Sequence, residues 1–223
     1  MGVLLEIEGI DGSGKGTQAA KLAENAIARG HRVATFSFPT YDGNPFSRAV
    51  ADYLNGAFGG VDDVHPELAG LLYACDRLHA RPRLVDALET SDLVVLDRYV
   101  ASNLAHQGSK LEGEAREQLL DWLRDVEYGE FALPRPDLVV LLDAPPALAR
   151  ELVGRKSARA YTTLAEDIHE ADTAHTDATR EVYLQLAARE GWRVVTVTGE
   201  DGLVRDVDGI AAEIWNVVEP LLR

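Results

Sequence analysis

Five short runs of apolar residues punctuate the chain: VLLEIEG (3–9), RVATFSF (32–38), DLVVLDR (92–98), DLVVLLD (137–143) and WRVVTVT (192–198). Their centres are nearly continuous Val, Leu and Ile, the pattern of strands covered on both faces. Between them run stretches of helical period at 15–30, about 46–56, 66–89, 111–127, 145–153, 166–190 and 205–222. Strands alternating with helices predict a parallel five-stranded sheet with helices on both faces, a three-layer α/β fold. The punctuation agrees. Gly30 suits the stop of the first helix, Pro66 a helical first turn, and Pro134 and Pro136 break the chain just before the fourth strand. No internal repeat or low-complexity tract interrupts this order, so residues 1–223 are expected to form one domain.

Composition narrows the partners. The net charge of −15 repels nucleic-acid phosphates and anionic lipid, so neither a nucleic acid nor a membrane is an expected partner. Lysine occurs only at 15, 21, 110 and 156, so an anionic substrate must be met by locally placed cations. Cys75 is the only cysteine, which rules out an internal disulfide and a cysteine-rich metal site. No charged-then-apolar leader opens the chain and no stretch approaches the ~18 apolar residues of a membrane span. A cytoplasmic protein is therefore expected.

The first strand runs into GIDGSGKGTQ (9–18), and a helical period follows directly. This nearly fits the phosphate-cradling pattern G-x-x-x-x-G-K-[ST], in the strand-to-helix setting that the pattern requires. Gly9, Gly12 and Gly14 let the backbone turn its N–H groups inward, and the helix start adds positive potential. Asp11, Ser13, Gly16 and Thr17 complete the candidate cradle, with Lys15 as the cation for the β- and γ-phosphates. The position after the lysine is Gly16, and the hydroxyl comes one place late at Thr17. A magnesium ion here therefore has fewer direct protein ligands, and is expected to rely on nucleotide phosphates, waters and nearby carboxylates.

At the end of the third strand stands DRYVASNLAHQG (97–108). A carboxylate at the carboxyl end of a parallel strand points into the crevice where such sheets bind ligands, and Arg98 offers a planar fork for a phosphate. Read alone, Asp97–Arg98 is equally a local ion pair, and Tyr73 reads as a core aromatic. Residues 154–165, GRKSARAYTTLA, gather Arg155, Lys156 and Arg159 between two helical periods. Such a cluster is either a solvated connection or a lid over phosphates. His65, His79, His106 and His169 lack metal-ligand spacing and read as surface or core polar residues.

Taken together, GIDGSGKGTQ, FPTY (38–41), LLYACDRLHA (71–80), DRYVASN (97–103), LPRPDLVVLLD (133–143) and the basic cluster followed by DIHE (167–170) resemble the thymidylate (dTMP) kinases over nearly the whole chain. That resemblance implies a P-loop kinase fold with a short lid. It implies transfer of the γ-phosphoryl group of ATP to dTMP with Mg2+, giving dTDP and ADP, in a homodimer. By the same resemblance, Tyr73 stacks on the thymine, Arg77 donates to a base carbonyl, and Asn103 and Ser102 form the base wall. Phe38 and Tyr41 flank the sugar and phosphate. Asp11 receives the 3′-hydroxyl, and Asp11 and Asp97 serve the metal shell. Arg98 holds the monophosphate, Asp167 and Glu170 open the helix after the lid, and Lys15, Arg98 and Arg155 or Arg159 supply catalytic charge. Thr40 departs from the family, many of whose members carry a charged residue there, and Arg48 is the candidate to compensate. A kinase for another nucleoside or nucleoside monophosphate, and an inactive nucleotide-binding module, remain the alternatives.

Overall fold

The protein is described from a computed structural model covering residues 1–61, 63–153 and 173–222. Five strands, β1 (Val3–Glu8), β2 (Val33–Ser37), β3 (Leu93–Asp97), β4 (Leu138–Asp143) and β5 (Arg193–Thr196), pair in parallel in the order β2-β3-β1-β4-β5. Each lies inside the run that its apolar pattern marked out. The three central strands are almost wholly buried, whereas the edge strands β2 and β5 keep several positions partly or fully exposed. An edge strand has a neighbour on one side only, so burial on both faces holds for the centre of the sheet and fades at its rims.

The helices are α1 (Lys15–Ala28), α2 (Pro45–Leu54), α3 (Pro66–Thr90), α4 (Val100–Gly108), α5 (Gly113–Arg124), α6 (Pro146–Val153), α7 (Thr173–Glu190) and α8 (Val207–Val218). Pro66 occupies the first turn of α3, as its missing N–H allows. The helical period at 111–127 resolves into α5 and a π-helical turn over Asp125–Glu130. Helix α4 has no counterpart among the expected elements. All its residues but His106 are buried, so it lacks the polar stripe by which an amphipathic helix declares itself.

Strand β1 sits in the middle of the sheet, with β3 on one side and β4 on the other. The chain leaves β1 toward one half of the sheet and later crosses to the other half. The carboxyl end of β1 is therefore the switch point at which open α/β sheets bind ligands. The GIDGSGKGTQ loop begins there, next to Asp97 at the end of β3 and Asp143 at the end of β4.

Candidate active site

The loop after β1 takes a shape that only glycine permits. Gly12 has φ +85°, and a Cβ built on it would lie 2.0 Å from the carbonyl oxygen of Ala149 in α6. Gly9 has φ +143°, and its Cβ would lie 2.6 Å from the carbonyl oxygen of Leu142 in β4. Both glycines let the loop lie flat against β4 and α6, and both conformations are costly for any other residue. Gly14 is the N-cap of α1, again left-handed, so the helix starts at Lys15 without a side-chain cap. Its first N–H groups have no partner within the helix and face the crevice as an anion cradle.

Gly16 explains why this loop has no hydroxyl after the lysine. A Cβ there would sit 3.1 Å from Oδ2 of Asp97. A side chain at 16 and the Asp97 carboxylate compete for the same space, and glycine leaves it to the carboxylate. The chain thus places a hard anionic oxygen beside the first turn of α1, where other phosphate loops carry a neutral hydroxyl. Thr17 is exposed.

A cavity of about 240 Å3 opens in front of this loop. At one end lie Asp11, Gly12, Gly14, Lys15, Gly16, Asp97 and Arg98. Lys15 Nζ donates to the carbonyl of Ile10 (3.0 Å) and lies 4.0 Å from Asp11. Arg98 donates to Asp11 Oδ1 at 2.7 Å and to Ser102 Oγ at 3.1 Å. Burial and the nearby Arg98 guanidinium pull the Lys15 ammonium down to about 8, against the opposing pull of Asp11. Burial pushes the Asp11 carboxyl up, but Arg98 and then Lys15 outweigh it and hold Asp11 well below the usual carboxylate range. A cluster with two cations and Asp11 already paired is built to receive further negative charge.

The other end of the cavity is flatter and less polar, with Phe38, Tyr41, Leu54 and Tyr73. Tyr73, half-buried on α3, meets the buried ring of Tyr53 edge-on at a centroid distance of 6.2 Å. Four residues on, the buried Arg77 makes a two-pronged ion pair with Glu127, Nε to Oε2 at 2.5 Å and a second amine to Oε1 at 2.8 Å. Glu127 also accepts from Asn103 Nδ2 at 2.7 Å, and that amide donates to the carbonyl of Gly70 at 3.0 Å. Asn103 Oδ1 and both ends of the Gln107 amide have no hydrogen-bond partner, although these residues are buried and line the cavity. These three amide atoms are also closed to solvent, so they are enclosed behind the cavity wall and do not open onto it.

The cavity thus brings together Asp11, Gly12, Gly14, Lys15, Gly16, Phe38, Tyr41, Tyr73, Arg77, Asp97, Arg98, Ser102 and Asn103 from the candidate set. Gly9, Ser13 and Thr17 do not line it. The candidate lid residues Arg155, Lys156 and Arg159, together with Asp167 and Glu170, lie outside the described residues. Arg48 is exposed and donates to the carbonyl of Gly43, without lining the cavity. Thr40 has a different task from the charge expected at its place. Its N–H and hydroxyl donate to the buried Asp76 at 2.8 and 2.6 Å, and Asn44 donates to the same carboxylate at 3.0 Å. Asp76 thereby ties the FPTY turn to α3.

Sequence reasoning missed four residues of this site. The sequence pattern carried no expectation for Glu127, Gln107 or Asp76. His106 was assigned to surface or core, but it lines the cavity with Nε2 3.3 Å from Arg98. Its place on the helical face of Ser102 and Asn103, three and four residues away, was the available signal.

Residues 7–208 match the family model described as thymidylate kinase. The chain belongs to the thymidylate kinase family. It is 36% identical over 193 residues to a thymidylate kinase of Mycobacterium tuberculosis, covering 85% of this chain and 87% of that protein. It is similar to a probable thymidylate kinase of Thermococcus gammatolerans, 38% identical over 192 residues and 84% of each chain. A thymidylate kinase of Pelobacter propionicus is 31% identical over 96% of this chain and 94% of its own. The solved thymidylate kinase of Candida albicans superposes with a TM-score of 0.72 at 24% identity, covering 98% of this chain and 92% of that one, and so shares the fold. Family membership also makes the chain a phosphotransferase. Among the described residues, no helix is long and apolar enough to cross a membrane.

Proposed function

We infer that this thymidylate kinase family member transfers the γ-phosphoryl group of ATP to dTMP, giving dTDP and ADP. One observation carries the reading: a single cavity joins an anion cradle to an aromatic wall of Phe38, Tyr41 and Tyr73. That is the shape of a nucleoside monophosphate held with its phosphate toward a phosphate loop. In this reading the thymine stacks on Tyr73, braced by Tyr53. Arg77, held by Glu127, donates to a base carbonyl. Asn103, which shares the Glu127 carboxylate with Arg77, takes the remaining edge. Arg98 and Asp11 hold the monophosphate and the sugar hydroxyl, and Phe38 and Tyr41 close the side.

The acceptor oxygen is already anionic, so no general base is required. Catalysis rests on alignment and on neutralising the charge of the transferred group. Lys15 donates to the donor phosphates at the start of α1, and Arg98 fixes the acceptor. The residues present fit magnesium. Asp97 beside Gly16 and Asp11 across the crevice are hard oxygen ligands, while no group of three or more His, Cys, Asp and Glu among the described residues forms a cage of its own. Asp97 and Asp11 would hold such an ion, which would supply neutralisation of the phosphate charge when bound. The family resemblance supports a homodimer, a single domain and a cytoplasmic setting.

The test is turnover itself. Protein, ATP and dTMP are incubated with magnesium, and the products are separated by chromatography. Equal amounts of dTDP and ADP are expected. Binding of both nucleotides without turnover would leave a nucleotide-binding module instead.

A further inference from the structure

Strand β1 carries two glutamates, Glu6 and Glu8, on one face, and both are fully buried. They serve α4, the helix that presents Ser102, Asn103, His106 and Gln107 to the cavity. A helix start leaves its first N–H groups without intrahelical partners, and here β1 supplies the acceptors. Glu8 Oε1 accepts from the N–H groups of Tyr99 (2.8 Å) and Ser102 (3.1 Å). Glu8 Oε2 accepts from the hydroxyls of Ser102 (2.7 Å) and Tyr183 (2.6 Å). Glu6 Oε1 accepts from the N–H of Ala101 at 2.8 Å, but Glu6 Oε2 has no hydrogen-bond donor.

The two carboxyls differ in their hydrogen-bond support. Glu8 accepts four hydrogen bonds, two from backbone N–H groups and two from hydroxyls. Glu6 takes one, and its second oxygen is buried without a donor. Two adjacent carboxylates removed from water cannot both stay ionised, and the one with less support keeps a proton. Burial and repulsion by Glu8 both push the Glu6 carboxyl well above its usual value of 4.5.

Other charged and titratable groups surround Glu6, beginning with the buried Tyr99 phenol at the start of α4. Helix α3 brings Arg77, α5 brings Arg124, and the π-helical turn brings Glu127 and Tyr128. The segment before β4 brings Arg135 and Asp137, and α7 brings Tyr183 and Glu190. The cations have their own partners. Arg77 is held by Glu127, Arg124 pairs with Asp121 and Glu190, and Arg135 lies 4.1 Å over the Tyr128 ring. Asp137 accepts from the Leu4 N–H. Among the described residues, none of these surrounding cations makes an ion pair with Glu6.

We propose that Glu6 is a positioning residue for the phosphoryl transfer, kept as a neutral carboxylic acid that donates its proton to Glu8 and so locks the start of α4. Through that lock it holds Arg98, two residues before the helix, and Ser102 against the acceptor phosphate. The inference rests on the proposed reaction for its catalytic consequence, but its protonation claim stands without it. Loss of the proton puts two charges on one buried strand face and loosens the residues that carry the acceptor wall.

The sign of the pH effect follows from linkage. A carboxyl whose native value is raised stabilises the fold below about pH 4.5, and that contribution is lost as pH rises toward the native value. Glu6→Gln keeps an acceptor for Ala101 and a donor for Glu8, yet needs no proton. Relative to the wild type, its folding equilibrium should therefore improve with pH, by up to about tenfold per pH unit above pH 5. The wild type should show a carboxylic-acid C=O stretch at neutral pH that Glu6→Gln lacks. Glu6→Leu, which has neither donor nor acceptor, should lower kcat and raise KM for dTMP, each by roughly tenfold, with KM for ATP little changed.

Denaturant unfolding from pH 5 to 9, difference infrared spectra and steady-state kinetics are the measurements. A Glu6→Gln stability difference independent of pH, or no infrared difference, would overturn the neutral acid. A folded Glu6→Leu protein with wild-type kcat and dTMP KM would overturn the positioning role. Should Glu6→Leu fail to fold, the two Glu6→Gln readouts still decide the protonation claim. Absence of dTMP turnover in the wild type counts against the proposed reaction and leaves those readouts intact.

Discussion

Glu127→Ala removes the partner that keeps Arg77 aimed at the base wall. Both side chains are almost fully enclosed, at 3% and 0% exposure, so solvent screening does little for the charge left behind. Breaking such a pair from one side costs about 3–5 kcal/mol, because an uncompensated guanidinium stays in the interior. The Asn103 amide loses one acceptor but keeps the Gly70 carbonyl, which adds little to the total. At about 2–4 °C per kcal/mol for a chain of this size, the midpoint of thermal unfolding should fall by roughly 6–20 °C. Arg77 should also leave its place, lowering kcat/KM for dTMP by roughly a hundredfold while KM for ATP stays within a few-fold. The double variant Arg77→Met/Glu127→Leu removes both charges and fills the space. It should recover most of the stability and none of the dTMP recognition. Calorimetry and steady-state kinetics on the wild type and these two variants provide the check. A Glu127→Ala midpoint within about 2 °C of the wild type, or a double variant no more stable than the single one, would refute charge compensation as what holds this wall.

Three further outcomes follow from the geometry. The free enzyme should lose kcat/KM for ATP as pH rises through about 8, because the Lys15 ammonium is held down there and only its protonated form meets the phosphates. The corresponding limb in kcat should lie higher, since bound phosphates favour the charged form, and a Lys15→Arg pH profile without the limb in kcat/KM is the control. Tyr73→Ala should weaken dTMP binding by roughly 1–3 kcal/mol in calorimetric titration and leave ATP within a few-fold; a selective loss of ATP would mean the two sites are exchanged. Gly16→Ala places a methyl group 3.1 Å from Asp97 Oδ2. It should raise the magnesium concentration for half-maximal rate several-fold, and an unchanged magnesium titration would detach Asp97 from the metal.

The sheet was legible because its centre is buried on both faces, so the strands announce themselves as continuous Val, Leu and Ile. The phosphate loop was legible because glycines at fixed spacing between a strand and a helix have few other uses. Helix α4 was not, since burial all round erases the period that marks a helix. Glu127, Asp76 and Glu6 were hidden for a related reason. Charged residues read as surface in a sequence, and only packing shows that Arg77, Thr40 and the start of α4 need acceptors in the interior. Gly16 was read as a missing hydroxyl, and the fold gives it a positive task, clearing space for Asp97. Residues 154–172 carry the cluster expected to form a lid, and their part in the site rests on the sequence pattern alone.

The central claim is that this cavity selects dTMP as the acceptor. It is tested most directly by kcat/KM for dTMP, dUMP, dCMP, dAMP and dGMP, each with saturating ATP and magnesium. The Arg77 and Asn103 edge of the proposed base site matches thymine and uracil, and the stacking face of Tyr73 favours the methylated base. The account therefore predicts dTMP first, dUMP behind it, and dCMP and both purine nucleotides lower by at least an order of magnitude, since each leaves buried polar groups unpaired. A purine monophosphate or dCMP turned over as well as dTMP would contradict it.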